Sequence, residues 1–367
     1  MSNKLIVGVV FGGRSVEHEV SLMSAKSIIT NLDTNKYKVF PILIEKNGTW
    51  RRVEIEEWLK EGELKVFRNS ELTPSLNPNK PALYEISKDR IIKDYRVDVL
   101  FPVLHGTYGE DGTVQGLFEL MGVPFVGASV LGSSIGMDKI TMKTLFRAAG
   151  LPVVKFIGIY QHNWKTGKEK IRKEILYEIG IPCFVKAANL GSSVGIIKVK
   201  SEDKLDEAVE FASEFSTRII IEKAVLTPRE IEVSVLGNEN PIVSYPGEIV
   251  PHREFYDYLA KYIEEGTELI APTELEEGLV RKFQEYALRA YKAIDCTGMA
   301  RVDFLMERDT YEIFVSEINT IPGFTHISMY PKLWEVSGIR YRELVTRLIE
   351  LALERYELKK NLRTDQV

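Results

Sequence analysis

The stretch LIVGVVFGGRSVEHEVSLMSAKSIITNL, Leu5 to Leu32, decides how the first third of the chain is read. An apolar run ends in Gly12-Gly13, as a buried strand does at a tight turn. Helical spacing follows, with Val16, Val20, Met23 and Ile28 apolar and Ser15 placed to cap the helix. KVFPILIEK then reads as a second strand, VDVLFPVLHG as a third, and GTVQGLFELMG as a helix after it. This βαβ alternation predicts a parallel sheet with ligands at the carboxyl ends of its strands. Residues from about 46 to 95 interrupt the pattern. They are charged, carry Pro74, Pro78 and Pro81, and are expected to form a surface insertion.

Beyond residue 137 the pattern changes. DKITMKTLFRAAG is a helix ended by Gly150; VVKFIGIY, CFVKAA, VGIIKVK and RIIIEKAV read as strands around the amphipathic SEDKLDEAVEFASEF. Single helices and short turns predict a mixed α+β layer here. From Arg229 onward come strands EIEVSVLG and PIVSYPGEIV and a polar loop over about 251–270. The long helix ELEEGLVRKFQEYALRAYKAI, strands MARVDFLME and YEIFVSEIN, and the helix YRELVTRLIELALERY complete the chain, with KKNLRTDQV expected to fray. The expected domains are 1–137, 138–228 and 229–367.

A length of 367 residues allows two or three domains. A hydrophobic content of 44% with 28% charged residues is that of a globular chain, and a net charge of −5 argues against nucleic acid. Cys183 and Cys296 sit in apolar runs and read as buried thiols of a reducing compartment. The first apolar run is too short for a signal core, and no stretch approaches the ~20 residues that span a bilayer. The expectation is a cytoplasmic protein with no membrane or nucleic-acid partner.

Several constellations carry chemistry. In VSEINTIPGFTHIS, Glu317 and Asn319 lie two apart on one strand face, Val315 and Ile318 are given to the other, and Pro322-Gly323 stops the strand. In GMARVDFL, Arg301 and Asp303 share a face. If a hairpin joins these strands, Asp303, Glu317 and Asn319 converge as oxygen donors suited to Mg²⁺ that shares phosphate ligands. An Arg301–Asp303 ion pair is the plainer alternative. NLGSSVGI lies between strands, so it is neither of the glycine loops that open a helix; with Lys139 and Lys186 near it, it suits a triphosphate, or it is an ordinary hairpin turn. Glu222 ends an apolar strand, where it either meets a nucleotide or is the first solvated residue, and Glu230 follows a proline. Glu17 and Ser21 near a helix start can bind a small cationic group. His105 stands at a strand's carboxyl end, where ligands of α/β sheets sit.

Taken together, FGGRSVEHEVS, LHGTYGEDGTVQG, GMDK, NLGSSVG, FYDYLAKY, GMARVDF and EINTIPGFT with HISM resemble the D-alanine–D-alanine ligases of the ATP-grasp superfamily, nearly end to end, and in particular their longer, A-type members. The resemblance implies a fold of α/β and α+β parts: a three-domain ATP-grasp fold with an N-terminal Rossmann-like parallel sheet. It also implies ATP-dependent joining of two D-alanines through an acyl phosphate, for peptidoglycan precursors, with ATP and two Mg²⁺ (or Mn²⁺) and a homodimer. By matched motifs, Lys139 and Lys186 hold phosphates, Glu222 and Glu230 contact adenine and ribose, and Asp303, Glu317 and Asn319 bind metal. Arg301 and the Gly323 N–H form an oxyanion hole. Glu17 takes the first ammonium with His105 nearby, Ser192 and Tyr262 link to Glu17, and Ser328 with Lys261 receives the second carboxylate. Ala260-Lys261-Tyr262 resembles the pattern of the dipeptide makers rather than the ester makers.

The rival readings are a D-alanine–D-lactate or other carboxylate–amine ligase of the same superfamily, a nucleotide-binding regulatory module, and a nicotinamide-dependent oxidoreductase. The regulatory module has no use for an oxyanion hole. The oxidoreductase fails on the glycine spacing after the first strand.

Overall fold

Leu5–Gly12, the apolar run of the opening stretch, pairs in parallel with Tyr37–Ile44 on one side and Val99–Val103 on the other. Val7, Val9 and Phe11 are fully buried, as a strand covered on both faces requires. The structure is a computed structural model that describes residues 4–191, 195–250 and 268–363. The helix His18–Asn31 packs on this sheet, though not through the expected stripe. Val16 and Met23 are exposed, and the buried face is Val20, Ser21, Ser24, Ala25, Ile28 and Ile29. Small hydroxyl residues took the inner positions because they bond to backbone. Ser21 Oγ accepts from the Gly12 N–H and donates to the Val103 carbonyl, which removes it from ligand binding. Ser15 does not cap the helix; its Oγ donates to the His105 carbonyl at 2.7 Å and accepts from the Glu17 N–H at 3.1 Å.

The segment 46–95 is more than a surface insertion. Trp50–Glu54 joins the sheet antiparallel to Tyr37–Ile44, and Glu71–Pro74, Leu83–Ser87 and Arg90–Tyr95 form a small antiparallel sheet. Leu72 and Leu83 enter the core beside Val10, Leu100 and Phe118.

A second sheet is antiparallel, in the order Ile196–Val199, Cys183–Ala187, Arg218–Lys223, Phe156–Tyr160. Its core includes Val185, Ile219 and Ile221 under the helix Leu205–Phe215. The helix Gln161–Glu178, absent from the sequence reading, also covers it. Only Trp164 and Ile175 of that helix are buried, so its apolar signal was thin.

The third sheet runs Glu268–Ile270, Gly247–Val250, Arg229–Gly237, Gly298–Met306, Ile313–Asn319. The first of these strands occupies the end of the segment read as loop. A helix at Met329–Val336 was likewise not anticipated. Lys359 and Lys360, expected to fray, complete the final helix Tyr341–Lys360.

Packing ignores sequence order. Met142 and Phe146, from the helix Lys139–Ala148, join the core of the third sheet. Leu344, Val345, Leu348 and Ile349 of the last helix pack with Val7, Val9 and Phe101 of the first. Arg355 on that helix is half-buried, with its guanidinium on the carbonyls of Gly127 and Phe125 and on Thr297 Oγ1. The two ends of the chain are thereby held as one body. Among the described residues, no helix is long and apolar enough to cross a membrane.

Candidate active site

The hairpin of Gly298–Met306 and Ile313–Asn319 forms the floor of the site. Asp303 stands opposite Glu317, and Arg301 opposite Asn319. Val315 and Ile318 do share the core side, although they are three residues apart. That is possible because Phe304 pairs with Val315 while Asp303 pairs with Glu317, leaving Ser316 as a bulge. Bulges of this kind re-aim side chains beside active sites. Here the bulge turns Glu317 and Asn319 to the cleft while Val315 and Ile318 stay in the core.

On the cleft face the plainer alternative, an ion pair, exists together with the donor set. Arg301 Nε and Nη2 each lie 2.7 Å from an oxygen of Asp303. Arg301 also lies 3.1 Å from Glu232 on the next strand. Asn319, with its amide oriented by its neighbours, donates to Glu110 Oε1 at 3.0 Å and accepts from Arg301 at 3.2 Å. Lys139 Nζ is 3.7 Å from Glu317 and donates to the Leu190 carbonyl at 2.6 Å. Among the described residues no three His, Cys, Asp or Glu side chains gather as a ready metal site. Two carboxylates and a carboxamide do fit a hard ion that completes its shell with phosphate and water. Cationic side chains already sit against both carboxylates.

The turn after this strand is held from the opposite end of the chain. Phe324 N–H donates to Ser24 Oγ at 3.3 Å, His105 Nε2 lies 3.2 Å from the same hydroxyl, and His105 Nδ1 lies 3.1 Å from the Ile321 carbonyl. A neutral imidazole satisfies all three contacts. Burial pushes His105 below the ordinary histidine range, against the pull of Glu17. His105 therefore pins the turn that carries Gly323. A Cβ at position 323 would stand 2.7 Å from Ser328 Oγ, so the close approach expected of this glycine is made to Ser328. Ser328 itself precedes the helix Met329–Val336 and accepts from the Thr325 N–H at 2.9 Å.

Glu17 is buried, and its carboxylate lies against Gly106 and Gly191. A Cβ on Gly106, whose φ is +74°, would come within 2.7 Å of it. Glu110, which the sequence reading passed over, accepts from the Gly106 N–H at 2.6 Å. Burial, and then Glu17, push its carboxyl up to about 8. Glu17, His105, Glu110, Lys139, Arg301, Glu317, Asn319, Gly323 and Ser328 all face one cleft of about 990 Å³, counting its open mouth.

Lys186 and Glu222 lie off this wall. Glu222 is not a solvated strand end: it is buried between Lys143, at 2.8 Å, and Lys186, at 2.6 Å. Burial favours its neutral form, but the two ammonium groups outweigh that and hold it at about 2. Lys143 was also missed. Its signal was its place one helical turn after Lys139 on the same face. Glu230 pairs across the sheet with Leu305 and Ile249, close enough for its charge to act on Lys186. Ser192, Lys261 and Tyr262 lie outside the described residues. Cys183 and Cys296 are buried free thiols, as expected.

A parallel sheet leading into two antiparallel sheets, with Lys139, Arg301 and carboxylates facing one cleft among them, defines a ligase of the ATP-grasp class. The family models described as D-ala D-ala ligase N-terminus and D-ala D-ala ligase C-terminus match residues 6–128 and 145–350. The chain belongs to the D-alanine–D-alanine ligase family. It is 46% identical to the D-alanine–D-alanine ligase of Natranaerobius thermophilus, over 99% of this chain and 98% of that one. Among solved structures, the D-alanine-D-alanine ligase from Coxiella burnetii is 37% identical with a TM-score of 0.84, covering 98% of this chain and 97% of that one. The VanG D-Ala:D-Ser ligase from Enterococcus faecalis is 36% identical at the same TM-score, covering 95% of this chain and 100% of that one.

Proposed function

We propose that the protein joins two D-alanine molecules into D-alanyl-D-alanine in this cleft, driven by ATP, as a step toward cell-wall precursors. The observation that carries the reading is the meeting of Glu17, Lys139, Arg301, Glu317, Gly323 and Ser328 around one opening. A carboxylate is a poor electrophile until one oxygen becomes a leaving group. The first D-alanine carboxylate therefore attacks the γ-phosphate of ATP and releases ADP, and the second D-alanine, once its ammonium has lost a proton, attacks the acyl phosphate that results. A tetrahedral oxyanion forms and phosphate leaves.

In this reading Glu17 holds the first ammonium, with His105 fixing the turn opposite. Lys139 and Lys186 hold phosphates, and Glu222 and Glu230 meet adenine and ribose. Two Mg²⁺ (or Mn²⁺) ions would be held by Asp303, Glu317 and Asn319 and would offset charge that builds during phosphoryl transfer. Holding the reactants in register is worth up to ~7–11 kcal/mol. Arg301 and the Gly323 N–H face the developing oxyanion, where one donor is worth ~3–4 kcal/mol. Ser328 receives the second carboxylate at a helix N-terminus, a favourable place for an anion. We assign 1–137, 138–228 and 229–367 as the three domains, since each of the main sheets falls within one of them. A cytoplasmic homodimer suits two free buried thiols and the exposed Val16 and Met23.

The test is phosphate release from ATP with D-alanine, L-alanine or D-serine, with the product identified by mass. Release with D-alanine and formation of the dipeptide are expected. Equal release with L-alanine refutes the substrate assignment, and preferential use of D-serine in the second position moves the enzyme toward the activity of the Enterococcus faecalis D-Ala:D-Ser ligase.

A further inference from the structure

Two of the roles just proposed compete for one side chain. The metal reading needs an oxygen of Asp303, and the oxyanion reading needs Arg301 aimed at the reacting carbonyl. In the structure Arg301 commits two nitrogens to Asp303, at 2.7 Å each. A divalent ion on Asp303 competes with them, and a largely buried guanidinium whose hold on one anion is weakened depends more on any other anion beside it.

A second anion is already present. Glu232 stands on the strand Arg229–Gly237, directly opposite Asp303, with Ser234 opposite Arg301. It therefore reaches Arg301 along the diagonal of the sheet, where long side chains meet. It is 5% exposed, its Oε1 lies 3.1 Å from Arg301 Nε, and it lines the same cleft. The opposite face of its strand is core, with Ile231, Val233 and Val235 fully buried, so Glu232 adds nothing to packing there. Of Asp303, Asn319 and Glu232, the first two are assigned to metal in the proposed function and the third is assigned to none of its ligands.

We infer that Glu232 is a positioning residue for Arg301: it keeps the guanidinium over the cleft when a divalent ion takes Asp303. The inference rests on the metal and oxyanion assignments of the proposed function. Glu232 binds neither substrate nor metal here; it acts through the arginine. Without it, Arg301 leans more heavily on Asp303, which it holds with two nitrogens, and resists giving that carboxylate up.

The test is a double-mutant cycle on the full-length protein with Glu232→Gln and Arg301→Gln, read first as Mn²⁺ affinity by electron paramagnetic resonance with ADP present and no D-alanine. Glu232→Gln weakens Mn²⁺ binding by about tenfold, and by markedly less once Arg301 is already glutamine, because no guanidinium is left to compete. Equal weakening in both backgrounds overturns the inference, since it reports only the lost negative charge. The second readout is turnover: Glu232→Gln lowers kcat about a hundredfold with KM for ATP little changed, and Glu232→Asp recovers part of it. A folded Glu232→Gln protein with ordinary kcat overturns the inference. If Glu232→Gln does not fold, Glu232→Asp alone decides, by the presence or absence of the same coupling to Arg301. Absence of Mn²⁺ binding in the unmodified protein overturns the metal assignment and this inference together, whereas binding without coupling overturns only the latter.

Discussion

Removing Glu222 and removing Lys143 have very different consequences, although the two form one ion pair. Glu222 carries one negative charge between two ammonium groups, at 2.8 and 2.6 Å, and all three are sheltered from water. A carboxyl held at about 2 instead of 4.5 owes about 3 kcal/mol of stability to its partners. Glu222→Gln removes that and leaves two lysines facing each other, so the expected loss is about 3–5 kcal/mol. Lys143→Met leaves Glu222 with Lys186, a neutral pair, and takes away an ammonium whose charge burial already disfavours. Its expected change is within about 1 kcal/mol. Urea unfolding at pH 7 reads the difference, with Trp164 reporting from the core of the same sheet. The pH dependence follows the same sign. The contribution of Glu222 is complete above its ordinary 4.5 and is lost as pH falls toward about 2, a slope that Glu222→Gln abolishes. If Lys143→Met were as destabilising as Glu222→Gln, the reasoning would be refuted, because the lysines would then act independently and not share one carboxylate.

Three further outcomes are expected. Gly323→Ala drives a methyl to within 2.7 Å of Ser328 Oγ, so kcat/KM for the second D-alanine falls by about a hundredfold while circular dichroism is unchanged; steady-state kinetics check this. Neutral His105 is favoured in the fold, so its contribution to stability is present above about 6.5 and lost as pH falls through its lowered folded value. Urea midpoints between pH 5 and 7 show a slope that His105→Gln flattens. Arg355→Met strips partners from the buried carbonyls of Phe125 and Gly127 and costs about 3 kcal/mol, seen as a lower melting temperature with turnover at 25 °C retained.

The parts of the fold legible in the sequence were those with dense apolar signals. Leu5–Gly12, Arg218–Lys223 and Gly298–Met306 announce themselves by composition or alternation. The helix Gln161–Glu178 buries too little to show a stripe, and the inner face of His18–Asn31 is partly serine, which hydropathy reads as surface. At the site, a strand pair sufficed to bring Arg301, Asp303, Glu317 and Asn319 together. Glu110 and Glu232 were illegible because their importance lies in partners distant in sequence, Asn319 and Arg301; Lys143 offered its spacing from Lys139, but not its partner Glu222. His105 was noticed for its place at a strand end, but its work on the turn after Asn319 depends on Ser24 and Ile321, which no local pattern connects to it.

The unpaired Ser316 acts on its strand as a reading frame acts on a message. Everything before it is in one phase of in and out, and everything after it in the other. Were Ser316 drawn into the ladder opposite Asp303, Glu317 and Asn319 would turn into the oil and Ile318 would come out to meet the nucleotide. Deleting Ser316 outright leaves Val315, Glu317, Ile318 and Asn319 in plain alternation on the sides they already occupy. An engineer could therefore take the bulge away and keep the chemistry, but could not iron it flat with its residue still in place.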